Sequence, residues 1–305
     1  MNDIVIEVQD FTKTYDDFIA VDKISFNVKS GEIFGLLGPN GAGKTSTLEC
    51  LEGLREPNGG LVRVAGLIPT REFHKLKNLI GVQLQSASLP ESITPEEAVK
   101  LFSAYHNVEP RMDLLERLGL AEKRTSQFFE LSTGQQRRMA LALAVMHNPQ
   151  VLFLDEPTAG LDVGTRSELH SMMGELQEAG TTIILATHDM AEAEQLSDRV
   201  AILLKGKIAK IGSPLEITAA GAGLTKISVR TQSSILLTSE VSFPAVTYST
   251  TLDDYRIYFS KDIGPTVSAI ISHIETQKDT LIDLRVERPS LEDRFLEITS
   301  TGEIQ

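Results

Sequence analysis

The chain has 305 residues, enough for roughly two structural units. Its 29 basic and 42 acidic residues leave a net charge of −13, and 41% hydrophobic with 23% charged residues is an ordinary globular composition. Those values exclude a collagenous, disordered or disulfide-stapled protein, and the acidic balance argues against a chain that coats nucleic acid or an anionic membrane. The single cysteine, Cys50, has no second cysteine to bridge to, as expected in a reducing cytosol. The opening MNDIVIEVQD lacks the basic-then-apolar pattern of a signal peptide. No run of about 18 apolar residues is present to span a bilayer, so a membrane is expected to be reached only through a partner.

In chain order, Ile4, Ile6 and Val8 alternate with polar neighbours, as do Ile24, Phe26 and Val28, which predicts two half-buried strands. Ile33-Phe34-Gly35-Leu36-Leu37 is a continuous apolar run, as in a strand buried on both faces. It leads into a glycine-rich stretch from Gly38 to Thr45 and then a predicted helix that carries Ser46 and ends near Gly53. A mostly helical region is expected over about 86–146, where Thr94-Pro95-Glu96-Glu97 supplies an N-cap, a first-turn proline and a capping-box glutamate. Buried strands return at Val151–Leu154 and Ile183–Ala186, so the nucleus is read as α/β with a mainly parallel sheet. Ala219-Ala220-Gly221-Ala222-Gly223 reads as a linker, dividing the chain into 1–220 and 221–305. The second part is expected to be a small α+β domain: strands at Lys226–Arg230 and Tyr255–Phe259, a helix at Val267–Ile274, a strand at Leu281–Val286 and a helix at Leu291–Ile298.

Two motifs carry chemistry. Gly38-Pro39-Asn40-Gly41-Ala42-Gly43-Lys44-Thr45 fits G-x-x-x-x-G-K-[ST] and sits between a buried strand and a helix, where a phosphate-binding loop belongs. Glycines let backbone N–H groups approach phosphate oxygens, and the following helix offers its positive end to the same anion. Lys44 suits the β- and γ-phosphates, and the Thr45 hydroxyl suits Mg²⁺. Val151-Leu152-Phe153-Leu154-Asp155-Glu156 is a hydrophobic strand ending in two carboxylates. Asp155 is placed to hold Mg²⁺ and Glu156 to orient and polarise an attacking water.

With Leu131-Ser132-Thr133-Gly134-Gln135-Gln136 and Thr187-His188-Asp189, these stretches resemble the ATP-binding subunit of ABC (ATP-binding cassette) transporters over about residues 4–218. The resemblance implies a phosphate-loop cassette with a helical subdomain, binding ATP and Mg²⁺ through Gly38–Ser46. Thr133 stands where that family usually has glycine, while Ser132 and Gly134, which meet the γ-phosphate in the family, are kept, followed by Gln135. The resemblance also places Tyr15 on the adenine and makes His188 the switch histidine at the γ-phosphate. Gln85 becomes the lid glutamine at Mg²⁺ and water, with Gln83 a competing register, and Asp162 of Ala159-Gly160-Leu161-Asp162 a polar contact between two subunits. Cys50 is expected to pack on the helix after the phosphate loop.

One chain has one copy of each motif, so a complete site by this resemblance needs a second ATP-binding chain, with a homodimer the simpler case. The stretch after Gln85 resembles the part of the family that grips a separate, polytopic transmembrane permease. That would hold the chain at the cytoplasmic face of the cell membrane. The ending Arg288-Pro289-Ser290-Leu291-Glu292-Asp293-Arg294-Phe295 is similar to the C-terminal extension of daunorubicin-resistance-type exporter ATPases, and its apolar residues also fit an amphipathic helix. An exporter of a drug, antibiotic or lipid is the expected role. An importer ATPase with a regulatory C-terminal domain, or an ABC ATPase acting on ribosomes or DNA, is the alternative. No nucleic-acid partner is expected.

Overall fold

The computed structural model describes residues 4–85, 89–219, 224–238, 241–287 and 289–301. The chain divides into two compact units, Met1–Ser213 and Pro214–Thr301. The expected linker falls mostly at 220–223, outside the described residues, and the division itself comes at Pro214.

In the first unit, β1 (Ile4–Tyr15) and β2 (Phe18–Lys29) form a long hairpin, and β3 (Ile33–Leu37) leads through the glycine-rich loop to α1 (Lys44–Leu51). Next come β4 (Gly59–Val64), α2 (Phe73–Leu76) and β5 (Ile80–Gln83), then three helices, α3 (Pro95–His106), α4 (Asp113–Arg117) and α5 (Thr133–Val145). The unit closes with β6 (Val151–Asp155), α6 (Val163–Glu178), β7 (Thr182–Thr187), α7 (Met190–Leu196), β8 (Arg199–Leu204) and β9 (Lys207–Gly212). The main sheet has the order β5-β6-β7-β3-β8-β9, parallel except for the edge strand β9. A separate antiparallel sheet has the order β2-β1-β4.

Every residue of β3, β6 and β7 is buried, which explains why these strands read as unbroken apolar runs. Their side chains feed two cores by period-2 alternation. Phe34, Leu36, Phe153 and Ile184 pack with the small sheet and α1, through Val8, Phe11, Phe26 and Leu48 among others. Leu152, Leu154, Ile183 and Leu185 pack the other way, against Met139, Ala142, Leu169 and Met173 of the helices. Phe26 and Phe34 stack across the two sheets with ring centroids 5.2 Å apart. The capping box at α3 forms as its sequence predicts: Thr94 Oγ1 accepts from the Glu97 N–H, and Glu97 accepts from the Thr94 N–H at 2.9 Å. Because β3, β6 and β7 are parallel neighbours, the loop after β3 and the ends of β6 and β7 gather at one edge, where ligands bind in open α/β sheets.

The second unit has α8 (Pro214–Ala219), β10 (Thr225–Thr231), the single turn α9 (Ile235–Thr238), β11 (Val246–Leu252), β12 (Tyr255–Ser260), α10 (Ile263–Thr276), β13 (Leu281–Glu287) and α11 (Leu291–Thr301). Its antiparallel sheet has the order β11-β12-β10-β13. The strand β11 and the turn α9 are additions to the expected pattern. The β11 sequence, Val-Thr-Tyr-Ser-Thr-Thr-Leu, has few apolar residues, and its strand state comes from pairing with β12. No helix of the described residues is long and apolar enough to cross a membrane.

Candidate active site

The glycine-rich loop is clamped by neighbouring backbone. Gly43, just before α1, has φ +105°, and a Cβ there would lie 2.6 Å from the Ala20 carbonyl oxygen. At Gly38 a Cβ would lie 2.4 Å from the carbonyl oxygen of Leu203 in β8. The Gly206 N–H in the β8–β9 turn donates to the Ala42 carbonyl at 3.1 Å, and the Gly206 carbonyl accepts from Asp22 N–H at 2.8 Å. The loop therefore rests on β2 and on the β8–β9 hairpin. Tyr15, Phe18, Ala20, the stretch Asn40–Ser46, Gln85, Asp155 and Glu156 line one cavity around it.

Ionisable groups crowd the base of that cavity. Lys44 is buried; its Nζ donates to the Gly38 carbonyl at 2.7 Å and lies 3.7 Å from Glu156 Oε1. Burial lowers the Lys44 pKa, while the Glu156 and Asp155 carboxylates pull it back up. Thr45 Oγ1 donates to Asp155 Oδ2 at 3.0 Å, and burial raises the Asp155 pKa against that hydrogen bond. The other oxygen, Asp155 Oδ1, is buried without a hydrogen-bond partner among the described residues. An orphaned carboxylate oxygen beside a hydroxyl is a donor set that suits a hard divalent cation, so these residues fit Mg²⁺.

Glu156 is held from three sides. It has φ +51°, a left-handed conformation that costs a non-glycine residue on the order of 1 kcal/mol. Its N–H donates to the Ala186 carbonyl at 2.9 Å, and its carbonyl accepts from Arg137 Nη1 at 2.7 Å. That turn aims the carboxylate back across the sheet edge, where Oε2 meets His188 Nδ1 at 2.7 Å. Lys44, Glu156 and His188 thus form one chain of charged and polar contacts above the ends of β3, β6 and β7.

Of the residues singled out from sequence, Tyr15, Asn40–Ser46, Gln85, Asp155 and Glu156 share the cavity, and His188 joins through Glu156. Gln83 does not: it is buried in β5 beside Leu154, while Gln85 reaches the cavity wall. The Tyr15 hydroxyl lies 3.3 Å from Ser46 Oγ, and Lys13 and Arg55 stand over its ring at 5.1 and 5.4 Å. Ser132, Gly134 and Gln135 do not line the cavity. Ser132 is exposed and caps α5, accepting from the Gln135 N–H while Gln135 Oε1 accepts from the Ser132 N–H. Asp162 caps α6 by accepting from the Thr165 N–H at 3.0 Å. Cys50 is fully buried in α1, and burial pushes its thiol up to about 11.

Three contributors escaped the sequence reading: Phe18, exposed on the cavity wall; Arg137, which holds the Glu156 carbonyl; and the β8–β9 turn under the loop. Only Phe18 carried a signal, an aromatic directly after the Asp16-Asp17 turn.

Comparison with known proteins adds the family. The ABC transporter family pattern matches residues 21–159. The daunorubicin resistance ATP-binding protein DrrA3 of Streptomyces coeruleorubidus is 32% identical over 98% of this chain and 97% of its own length. The Nod factor export ATP-binding protein I of Paraburkholderia xenovorans is 33% identical over 98% of both chains. Among solved structures, a dimeric ATP-binding cassette in a post-hydrolysis state with ADP and Pi matches with a TM-score of 0.64 at 25% identity, over 68% of this chain and 98% of that one.

Proposed function

Since the chain belongs to the ABC transporter family as one of its ATP-binding cassettes and is an ATPase, we propose that it powers export of a drug, antibiotic or lipid through a separate polytopic membrane subunit, at the cytoplasmic face of the membrane. Support for export comes from two relatives that match along nearly their whole length and are named for drug resistance and for export. The observation that carries the chemistry is the meeting of Thr45–Asp155 and Lys44–Glu156 in one cavity, with His188 joined to it through Glu156, while Ser132 stands exposed elsewhere on the same unit.

In this reading the loop Gly38–Ser46 binds the phosphates, with Lys44 leaving its own loop carbonyls for the β- and γ-oxygens. Tyr15 and Phe18 form the wall for the adenine. Thr45, Asp155 and Gln85 would hold Mg²⁺, which would supply charge neutralisation at the phosphate oxygens. Glu156 accepts a hydrogen bond from the attacking water and aligns it with the γ-phosphorus. With Nδ1 tied to Glu156, His188 uses Nε2 to contact the γ-phosphate. A second copy of the chain supplies Ser132 and Gly134 to that phosphate, and its Asp162 adds a contact across the pair. Closing the two copies on ATP completes the site, so hydrolysis is coupled to their separation.

The test uses tagged Glu156→Gln chain with Mg-ATP in detergent-solubilised membranes. The expected result is loss of phosphate release, retained ATP binding, and one polytopic membrane protein recovered with the chain. Recovery of ribosomes or nucleic acid instead overturns the transporter reading. Reconstituted with that membrane protein, the wild-type chain should move solute away from its own side of the vesicle wall; movement towards it overturns export.

A further inference from the structure

The second unit runs β10-α9-β11-β12-α10-β13 with the strand order β11-β12-β10-β13, the split βαβ arrangement with its first helix cut to one turn. Ile270 and Ile274 of α10 cover one face of the sheet over Ile227, Val229 and Tyr258. β13 lies at the sheet edge, and β10 is its one strand partner among the described residues. Leu281, Ile282 and Val286 on it are 38%, 50% and 42% exposed. Natural edge strands are usually blunted by proline, by brevity, by charges, by bulges or by covering elements, because their free N–H and C=O groups recruit another strand. β13 is seven residues long and contains no proline; its register against β10 shifts at Ile282, it carries Asp283, Arg285 and Glu287, and it leaves Leu281, Ile282 and Val286 open while Leu284 packs on the core.

We propose that β13 pairs antiparallel with β13 of a second copy of this chain, about a two-fold axis at Leu284, joining two four-stranded sheets into one. The strand is its own complement. In the regular stretch Asp283–Glu287, a two-fold at Leu284 sets Leu284 against Leu284 on one side of the sheet, with Ile282, at the register shift, opposite Val286 along the strand. On the other side Asp283 of each copy faces Arg285 of the other. Sliding the pair by two residues sets Asp283 against Asp283 or Arg285 against Arg285. The charges therefore select the same register that gives full overlap. An isologous contact requires such self-complementarity, because one patch must serve both partners. The charged pair is held in place already: Arg285 Nε donates to Asp283 Oδ2 at 2.8 Å, and the Tyr255 hydroxyl donates to the same oxygen at 2.6 Å.

This contact needs no nucleotide, which separates it from the closure of the two cassettes proposed above. Sedimentation velocity of the full chain without nucleotide, over a range of concentrations, tests it. Wild type is expected to dimerise, and Asp283→Arg or Arg285→Asp alone to weaken that self-association at least about tenfold by setting like charges opposite one another. An equimolar mixture of the two variants should dimerise again, since one then carries two basic and the other two acidic side chains along the strand. Recovery in the mixture also shows that both variants fold. A monomeric wild type, single variants that dimerise like wild type, or a mixture that stays monomeric each overturns the proposal. Glu156→Gln combined with Asp283→Arg and run with Mg-ATP reports cassette closure without the strand contact, so loss of one association is distinguishable from loss of the other.

Discussion

His188 Nδ1 and Glu156 Oε2 are 2.7 Å apart, which ties the end of β7 to the residue that follows β6. Because Glu156 is also 3.7 Å from Lys44, one carboxylate links the phosphate loop to both strand ends. Removing the imidazole takes away the orienting partner of Glu156, and with it the proposed contact to phosphate, while leaving the loop intact. His188→Ala should therefore lower the steady-state rate of phosphate release by about 10²-fold, with ATP affinity changed by less than roughly threefold. Turnover at the wild-type rate would sink the role given to His188.

The unpaired Asp155 Oδ1 predicts metal dependence. In Asp155→Asn the divalent site loses its charge, so Mg²⁺ should add little to the thermal stabilisation given by ATP, whereas in wild type it should add several degrees. Thr45→Ala should show the same trend more weakly. An equal Mg²⁺ increment in wild type and Asp155→Asn would remove Asp155 from the metal site.

Arg137 acts on the backbone of Glu156, so its effect should fall on turnover and spare nucleotide binding. Arg137→Ala removes the shorter of two donors to the Glu156 carbonyl, leaving the Ala159 N–H at 3.3 Å, at a cost of about 1 kcal/mol, and frees a strained residue to relax. The expected outcome is a fall in kcat of about tenfold or more with ATP Kd unchanged, and partial recovery in Arg137→Lys. Equal losses in both substitutions would argue for a general packing role.

Glu52, at the C-terminal end of α1, is 2% exposed, and burial beside the Asp155 and Glu49 charges pushes its carboxyl up to about 8 from an ordinary 4.5. Between pH 4.5 and 8 the folded chain thus holds a proton that the unfolded chain lacks. Stability from this group is complete below the unfolded pKa and is lost as pH rises through the folded one. Glu52→Gln should flatten the dependence across that window and leave the protein about 2–4 kcal/mol more stable than wild type at pH 8. Parallel melting curves against pH for the two proteins would refute the assignment.

Much of the architecture could be read from local pattern. The unbroken apolar runs at Ile33–Leu37, Val151–Leu154 and Ile183–Ala186 are the three central parallel strands, because only a strand covered on both faces needs apolar residues at every position. The edge elements were less legible. β11 is poor in apolar residues and is a strand only because β12 pairs with it, and α9 is a single turn with no periodicity to detect.

The sequence by itself set the residue types that the proposed chemistry uses: glycines and Lys44 for phosphate, Thr45 and Asp155 for a cation, and Glu156 for water. These are consequences of residue type and short spacing, so they survive without a fold. Tertiary structure alone decided which residues meet. It brought Gln85 and not Gln83 to the cavity, set Arg137 on the Glu156 carbonyl across 19 positions, and laid the β8–β9 turn beneath the loop. Such contacts depend on strand order and helix packing, and a linear pattern holds no record of either. They also explain why Ser132 and Gly134 stand apart from Lys44 within one chain: α5 belongs to the helical core on the far face of the sheet, and completing the proposed site takes a second copy.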